Sequence, residues 1–289
     1  LWFEKGKEMA EQRFGKEHRG AAITLNHLAR VYNDQGRYDD AEPLLLQALE
    51  IFKKLLGNEH PGVAGTLSNL AEVYSHQGRY DDAEPLLLKA LEIFKKLLGD
   101  EHPEVASSLN NLAVLYYHQG RYDNTESLYL QALEMRKKLL GDEHPGVASS
   151  LVCLATLYYS QGQYDKAETF CLQGLEMYKK LLGNEHPEVA FSLNNLAVIY
   201  NEQGRYDDAE LLYLQVLEMR KKLLGDEHPD VAKSLIGVAL IYNDQGRHDK
   251  AEAFSLQALE MFKKLLGDEH PDVATSLNNL AILYECQGR

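Results

Sequence analysis

The sequence predicts an all-α fold, a right-handed α-α superhelix (a solenoid) of antiparallel helix pairs. Three observations carry that prediction. A unit of 42 residues recurs, and its clearest copy runs from His102 to Glu143. The His-Pro pair that opens it returns at His60-Pro61, His102-Pro103, His144-Pro145, His186-Pro187, His228-Pro229 and His270-Pro271, and a fixed period of this length marks a stacked repeat array. Each unit carries two apolar stripes of helical period, and a glycine follows each stripe where a helix would end.

The array is expected to be a single domain over 1–289. Full repeats fill 18–59, 60–101, 102–143, 144–185, 186–227 and 228–269. Residues 1–17 read as the second helix of a partial repeat: Trp2 and Phe3 fall where later copies have Leu44 and Leu45, and Gly15 matches Gly57. Residues 270–289 read as the first helix of another, so the chain is expected to be a piece of a longer array. Both ends would expose an unfinished pair, and end-to-end self-association follows as an expectation.

Within a unit the first helix begins at the proline, whose missing N–H costs nothing in a first turn. In the clearest copy Val105, Leu109, Leu112, Ala113 and Tyr116 form one stripe. Gly120 closes the helix. A turn of a few residues then makes the two helices antiparallel neighbours. Acidic pairs spaced by three, such as Asp39/Glu42 and Asp81/Glu84, read as capping boxes that open the second helix. Pro43 and Pro85 are then expected in its first turn, since deeper in they would break it. The stripe of the second helix is Ala83, Leu87, Ala90, Leu91, Phe94 and Leu98 in one copy. Lys95-Lys96 follow near the end, where positive charge suits the helix dipole.

Charge and cysteine usage narrow the function. The net charge of -14 argues against nucleic acid, whose phosphates need a basic surface, and against anionic membranes. No apolar run approaches the ~20 residues that span a bilayer. Cys153, Cys171 and Cys286 are too scattered for a disulfide framework or a zinc motif, so a reducing, cytoplasmic setting is expected. The repeated Gly-Asp-Glu-His-Pro phrase invites a metal or acid–base reading. Its copies lie one repeat apart, however, and form a row rather than converging on one ion. It reads as the turn between repeats. No nucleophile motif or phosphate-binding glycine loop is present, so no enzyme, cofactor or metal is expected. Cys171 reads as packing.

Here the sequence resembles a known family. Leu67, Leu70-Ala71, Tyr74, Ala83, Leu87 and Ala90 match the large, small and aromatic positions of the tetratricopeptide repeat (TPR). The long second helix and the phrase HPxVAxxLxxLAxxYxxQGxYxxAExLxxxALE…KKLLGxEHP are similar to kinesin light chain repeats, and to bacterial arrays attached to signalling proteins. The resemblance implies a TPR solenoid whose first helices line a concave groove and hold an extended peptide. Carried over by position, one row on that face is Asn26, Ser68, Asn110, Val152, Asn194, Ile236 and Asn278. The neighbouring row is His27, Asn69, Asn111, Cys153, Asn195, Gly237 and Asn279. An asparagine amide both donates and accepts, so such rows suit a peptide backbone. The competing reading makes them inter-repeat structure. The candidate peptide-binding residues are therefore Asn26, Asn69, Asn110, Asn111, Asn194, Asn195, Asn278 and Asn279, with Tyr117, Tyr159, Asn201 and Asn243 beside them.

Kinesin light chains present basic groove residues to acidic cargo. On this face Asp34, Glu72, Glu202, Asp244 and Glu285 outnumber Arg30 and Lys233, so the expected partner segment is neutral or basic. The function predicted is a non-catalytic interaction scaffold or adaptor, with an architectural or self-associating array as the alternative.

Overall fold

A computed structural model of the chain describes residues 18–286, the side chain of Cys286 excepted. The expectations placed on Trp2, Phe3 and Gly15 lie outside the described residues. Thirteen helices and no strand occur among the described residues. First helices are α1 (Arg19–Asp34), α3 (Pro61–His76), α5 (Pro103–His118), α7 (Pro145–Ser160), α9 (Pro187–Glu202), α11 (Pro229–Asp244) and α13 (Pro271–Cys286). Second helices are α2 (Tyr38–Leu56), α4 (Tyr80–Leu98), α6 (Tyr122–Leu140), α8 (Tyr164–Leu182), α10 (Tyr206–Leu224) and α12 (His248–Leu266). The chain divides into two compact units, Leu1–Asp142 and Glu143–Arg289. Unit 1 holds α1 to α6 and unit 2 holds α7 to α13.

Each first helix opens on a histidine cap. The Nδ1 of His18, His60, His102, His144, His186, His228 and His270 accepts the backbone N–H two residues on, at 2.9–3.2 Å. That satisfies one of the orphan donors of the first turn, while the proline beside it, in every copy but His18-Arg19, needs no acceptor. The Asp-Glu-His-Pro phrase is thus a turn and a cap together. Each described first-helix end before a second helix is a Schellman turn: Gly78 takes φ +74°, the Arg79 N–H donates to the Tyr74 carbonyl at 2.8 Å and the Gly78 N–H to that of Ser75 at 3.0 Å.

The second helices differ from the capping-box expectation. Their cap position is Arg37, Arg79, Arg121, Gln163, Arg205 or Arg247, and none makes a side-chain cap bond. Asp39 and Asp81 sit inside the first turn. Glu42 and Glu84 reach away to the next repeat, because a tyrosine hydroxyl and an arginine there offer stronger partners than their own helix end. Pro43 and Pro85 stand sixth in α2 and α4, past the first turn. Each forfeits one backbone bond, yet the helices continue to Leu56 and Leu98 because their inner faces are packed.

The core follows the predicted stripes with one exchange. Val105, Leu109, Leu112, Ala113 and Tyr116 are buried, as are Ala83, Leu87, Ala90 and Phe94. Ile93 is buried in place of Leu98, which is exposed. In unit 1 the core forms two bands. One joins first-helix starts to second-helix ends (Leu25, Phe52, Val63, Phe94, Val105). The other joins the turn ends (Leu45, Leu70, Tyr74, Leu87, Leu112, Tyr116). Antiparallel pairing requires this division. In unit 2, residues of α9 to α13 share one core. Successive first helices also touch: α1 with α3, α3 with α5, and α7 with α9.

Candidate interaction face

A repeated clamp holds neighbouring repeats in each unit. Glu84 on α4 accepts from the Tyr116 hydroxyl at 2.7 Å and from Arg121 at 3.0 Å, and the Arg121 guanidinium lies 3.7 Å over the Tyr116 ring. Glu42, Tyr74 and Arg79 repeat it in unit 1. In unit 2, Glu168 takes Arg205 and Gln203, Glu210 takes Arg247 and Gln245, and Glu252 takes the Tyr284 hydroxyl. Burial pushes the carboxyls of Glu84, Glu168 and Glu210 up, but their hydrogen-bond donors outweigh it and hold them below the usual range. The tyrosines read as core are therefore also clamp residues.

The predicted asparagines divide by what they touch. Asn26 donates to the Ala22 carbonyl at 3.1 Å and to Thr66 on α3 at 3.0 Å, and Asn69 donates to Asn26 at 3.1 Å. Those amides join α1 to α3. Asn201 donates to Asp244 at 2.8 Å, and Asn243 bonds His248 within its own repeat. The Tyr159 hydroxyl donates to Glu202 at 3.3 Å, and Tyr117 packs on His118 and Tyr122. Asn111 and Asn278 are exposed, whereas Asn110, Asn194, Asn195 and Asn279 are half-buried. Three side-chain atoms among the described residues are buried with no hydrogen-bond partner: Asn110 Oδ1, Asn195 Nδ2 and Asn201 Oδ1. All three belong to the predicted set.

Gly237 marks where the second row meets packing rather than solvent. It is buried, and a Cβ there would stand 2.8 Å from the Tyr213 ring of α10. Sequence reasoning missed this exchange of volumes, although Tyr213 standing where the next repeat has Ser255 was a visible signal. It also missed Asn33, a buried amide that donates to Glu72 at 3.2 Å and bonds His76 at 2.9 Å.

Groups that could act chemically are few. Cys171 is buried, and burial pushes its thiol up to about 12, so it packs rather than reacts. No group of three or more His, Cys, Asp or Glu residues placed to hold a metal ion occurs among the described residues. No described helix is long and apolar enough to cross a membrane.

Comparisons with known proteins agree with this architecture. The family profile described as Tetratricopeptide repeat matches 2–54, 20–96, 62–138, 104–180, 146–222, 192–264 and 230–289. The crystal structure of a Podosopora anserina putative kinesin light chain with nearly identical TPR-like repeats is similar at TM-score 0.57 and 31% identity, over 72% of this chain and 98% of that one. BtubC (BKLC) from P. vanneervenii is similar at TM-score 0.63 and 24% identity, over 94% of each chain. Cut9-Hcn1 of the APC/C hetero-tetramer shares the fold at TM-score 0.65 and 14% identity, over 96% of this chain and 45% of that one. No curated protein matches the sequence.

Proposed function

The chain belongs to the tetratricopeptide repeat family, with repeats of the kinesin-light-chain-like kind, and from that premise we infer that it grips an extended peptide along its first helices. Arrays of this fold are generally protein-interaction scaffolds rather than catalysts. The observation that carries the finer reading is the state of the asparagine amides. Asn26, Asn69 and the Asn201 amide nitrogen are committed to inter-repeat bonds. Asn110 Oδ1 and Asn195 Nδ2 are buried without partners. An unpaired buried polar atom carries a desolvation penalty of about 1–3 kcal/mol. Turning such an amide toward a peptide backbone breaks no bond at that atom and gains one. The working residues are then Asn110 and Asn111 in unit 1, and Asn194, Asn195, Asn278 and Asn279 in unit 2. The partner segment is neutral or basic, because Glu72, Glu202, Asp244 and Glu285 on this face are exposed acids.

The test is selection of binders from a random peptide library, followed by titration of the selected peptides against Asn110→Ala and Asn195→Ala variants. Each variant is expected to weaken binding about five- to thirtyfold, the worth of one or two hydrogen bonds of about 1 kcal/mol, with its melting temperature held or raised. Unchanged affinities would make the amides structural.

A further inference from the structure

We propose that the first-helix face of unit 2 carries a specificity pocket for an aliphatic side chain flanked by a lysine or arginine. The proposal rests on the peptide-gripping reading above and names the class of segment that unit 2 selects.

The pocket arises from a volume difference between adjacent repeats. In one repeat the ring of Tyr213 on α10 packs against Gly237 on α11, where a Cβ would lie within 2.8 Å of it. One repeat later the same two places hold Ser255 on α12 and Asn279 on α13. Ser255 is too small to fill the space of a tyrosine ring. A cavity of about 60 Å³ is left, with Ile236 and Leu240 on one side, Asn279 and Ile282 on the other, and Ser255 at its floor. That is room for the branched tip of one aliphatic side chain, a water's share of liquid being about 30 Å³. Leu240 and Ile282 flank the opening and are 46% and 48% exposed. Two large aliphatic chains held half in water beside a hollow are surface that an apolar ligand group would cover.

Charge decides which segment fits. Asp244 directly follows Asn243, which also lines the pocket, and it accepts one bond from the neutral Asn201 amide. It forms no ion pair among the described residues. Glu285 is exposed one turn beyond Ile282. The nearby cations are engaged: Arg247 with Glu210, Lys250 over the Tyr242 ring, and Lys233 with Asp230. A segment seated in the pocket therefore meets two carboxylates that form no ion pair among the described residues. A cationic side chain one or two positions from the aliphatic anchor would pair with them, and an acidic one would be repelled. The Asn243 and Asn279 amides border the opening and suit the segment's backbone.

The test uses the whole chain and short fluorescein-labelled peptides with one leucine and one adjacent lysine on a capped glycine-serine background. Parallel peptides carry serine for leucine, norleucine for lysine, or glutamate for lysine. The leucine–lysine peptide is expected to bind at least about tenfold more tightly than the serine and glutamate versions, the scale of a central anchor residue. A Ser255→Tyr/Asn279→Gly double variant reproduces the Tyr213–Gly237 packing of the preceding repeat. It should fold, fill the pocket and lose the leucine preference. Asp244→Asn should reduce the preference for lysine over norleucine and weaken the salt dependence, and adding Glu285→Gln should abolish both. Equal binding by the double variant, or a preference for glutamate, would overturn the pocket. If that result comes while Asn195→Ala still weakens the peptide, the peptide-gripping reading survives and only the pocket falls. If no peptide in the set binds, the pocket falls, while the peptide-gripping reading falls only if the random-library selection also yields no binder.

Discussion

Helices α3 and α5 of unit 1 and α9 and α11 of unit 2 place different chemistry at equivalent turn ends, whereas α1 ends on Asp34 and α7 on Ser160. On α3 and α5 the last helical residue is His76 or His118, and each ring lies against a tyrosine of the preceding second helix, Tyr38 at 5.3 Å and Tyr80 at 6.4 Å. On α9 and α11 the equivalent residues are Glu202 and Asp244. Glu202 accepts the hydroxyls of Tyr159 and Tyr164, and Asp244 accepts the Asn201 amide. The helix ends themselves are the same, with the same left-handed glycine and the same Glu–Arg clamp behind them. The clamp and the turn set the geometry, so the exposed residue at the turn end is free to change charge. The difference teaches that partner choice in such an array can be rewritten without touching its packing, and that each unit can prefer its own segment.

The comparison breaks most severely where packing and face coincide. Gly237→Asn would restore the asparagine row in unit 2 and make it resemble Asn69 and Asn111 of unit 1. The added side chain would run into the buried Tyr213 ring. Overpacking of this kind costs about 1–3 kcal/mol, more than asparagine gains over a helical glycine, since even alanine gains only ~0.5–1 kcal/mol. Thermal melting should fall, with hydrogen exchange quickening over α10 and α11. A variant as stable as the parent would show that the row is interchangeable between units.

The shared clamp supplies a smaller effect and should act alike in both units. Tyr116→Phe in unit 1 and Tyr284→Phe in unit 2 each remove a hydroxyl that donates to a glutamate, at 2.7 and 2.9 Å. Each should cost about 0.5–1.5 kcal/mol, with the higher end favoured because the acceptor is charged. A clear cost in one unit and none in the other would show that the clamp does not stabilise the two units alike.

How far the sequence discloses these features depends on whether one unit suffices to define them. Pro103 as a helix start, Gly120 as a helix end and the Val105–Tyr116 stripe are set by spacing inside a unit, and all are seen. The role of Glu42 is not, because its partners Tyr74 and Arg79 lie 32 and 37 residues away. An acidic residue three after another matches a capping box whether or not the side chain turns back. The same holds for Asn26 and Asn110. They are identical in type and repeat position, but Asn26 Oδ1 accepts from Asn69 across the repeat boundary, while Asn110 Oδ1 is left unpaired. The Ser255 cavity is visible only when two repeats are compared position by position with their packing partners.

Acid should test the clamp again, more weakly. The folded carboxyls of Glu84, Glu168 and Glu210 are held below the ordinary value, so the unfolded chain takes up protons first as pH falls. The stability they contribute is complete above about pH 4.3 and is lost as pH drops through their lower folded values. Melting temperature should decline across that window in the parent. Glu84→Gln should flatten the decline for α4 and α5 in unit 1, while Glu168→Gln and Glu210→Gln do so in unit 2. A decline of unchanged steepness in all three variants would place the acid sensitivity elsewhere.

The smallest expected effect belongs to unit 1 alone and tests the histidine that ends α5. Burial, and then the charge of His76, push the His118 imidazole below its usual value. The unfolded chain therefore binds that proton more readily than the folded one. The neutral ring's contribution is present above about pH 6.5 and fades as pH falls from there through the folded value. Hydrogen exchange at the C-terminal turn of α5, corrected for its intrinsic pH dependence, should quicken between pH 7 and pH 5.5, with no matching change in α11, where Asp244 holds the equivalent place. His118→Gln should remove the effect. An equal response in α5 and α11 would mean that the two turn ends titrate through something common to both units, and the exchange of His118 for Asp244 would then carry no pH dependence of its own.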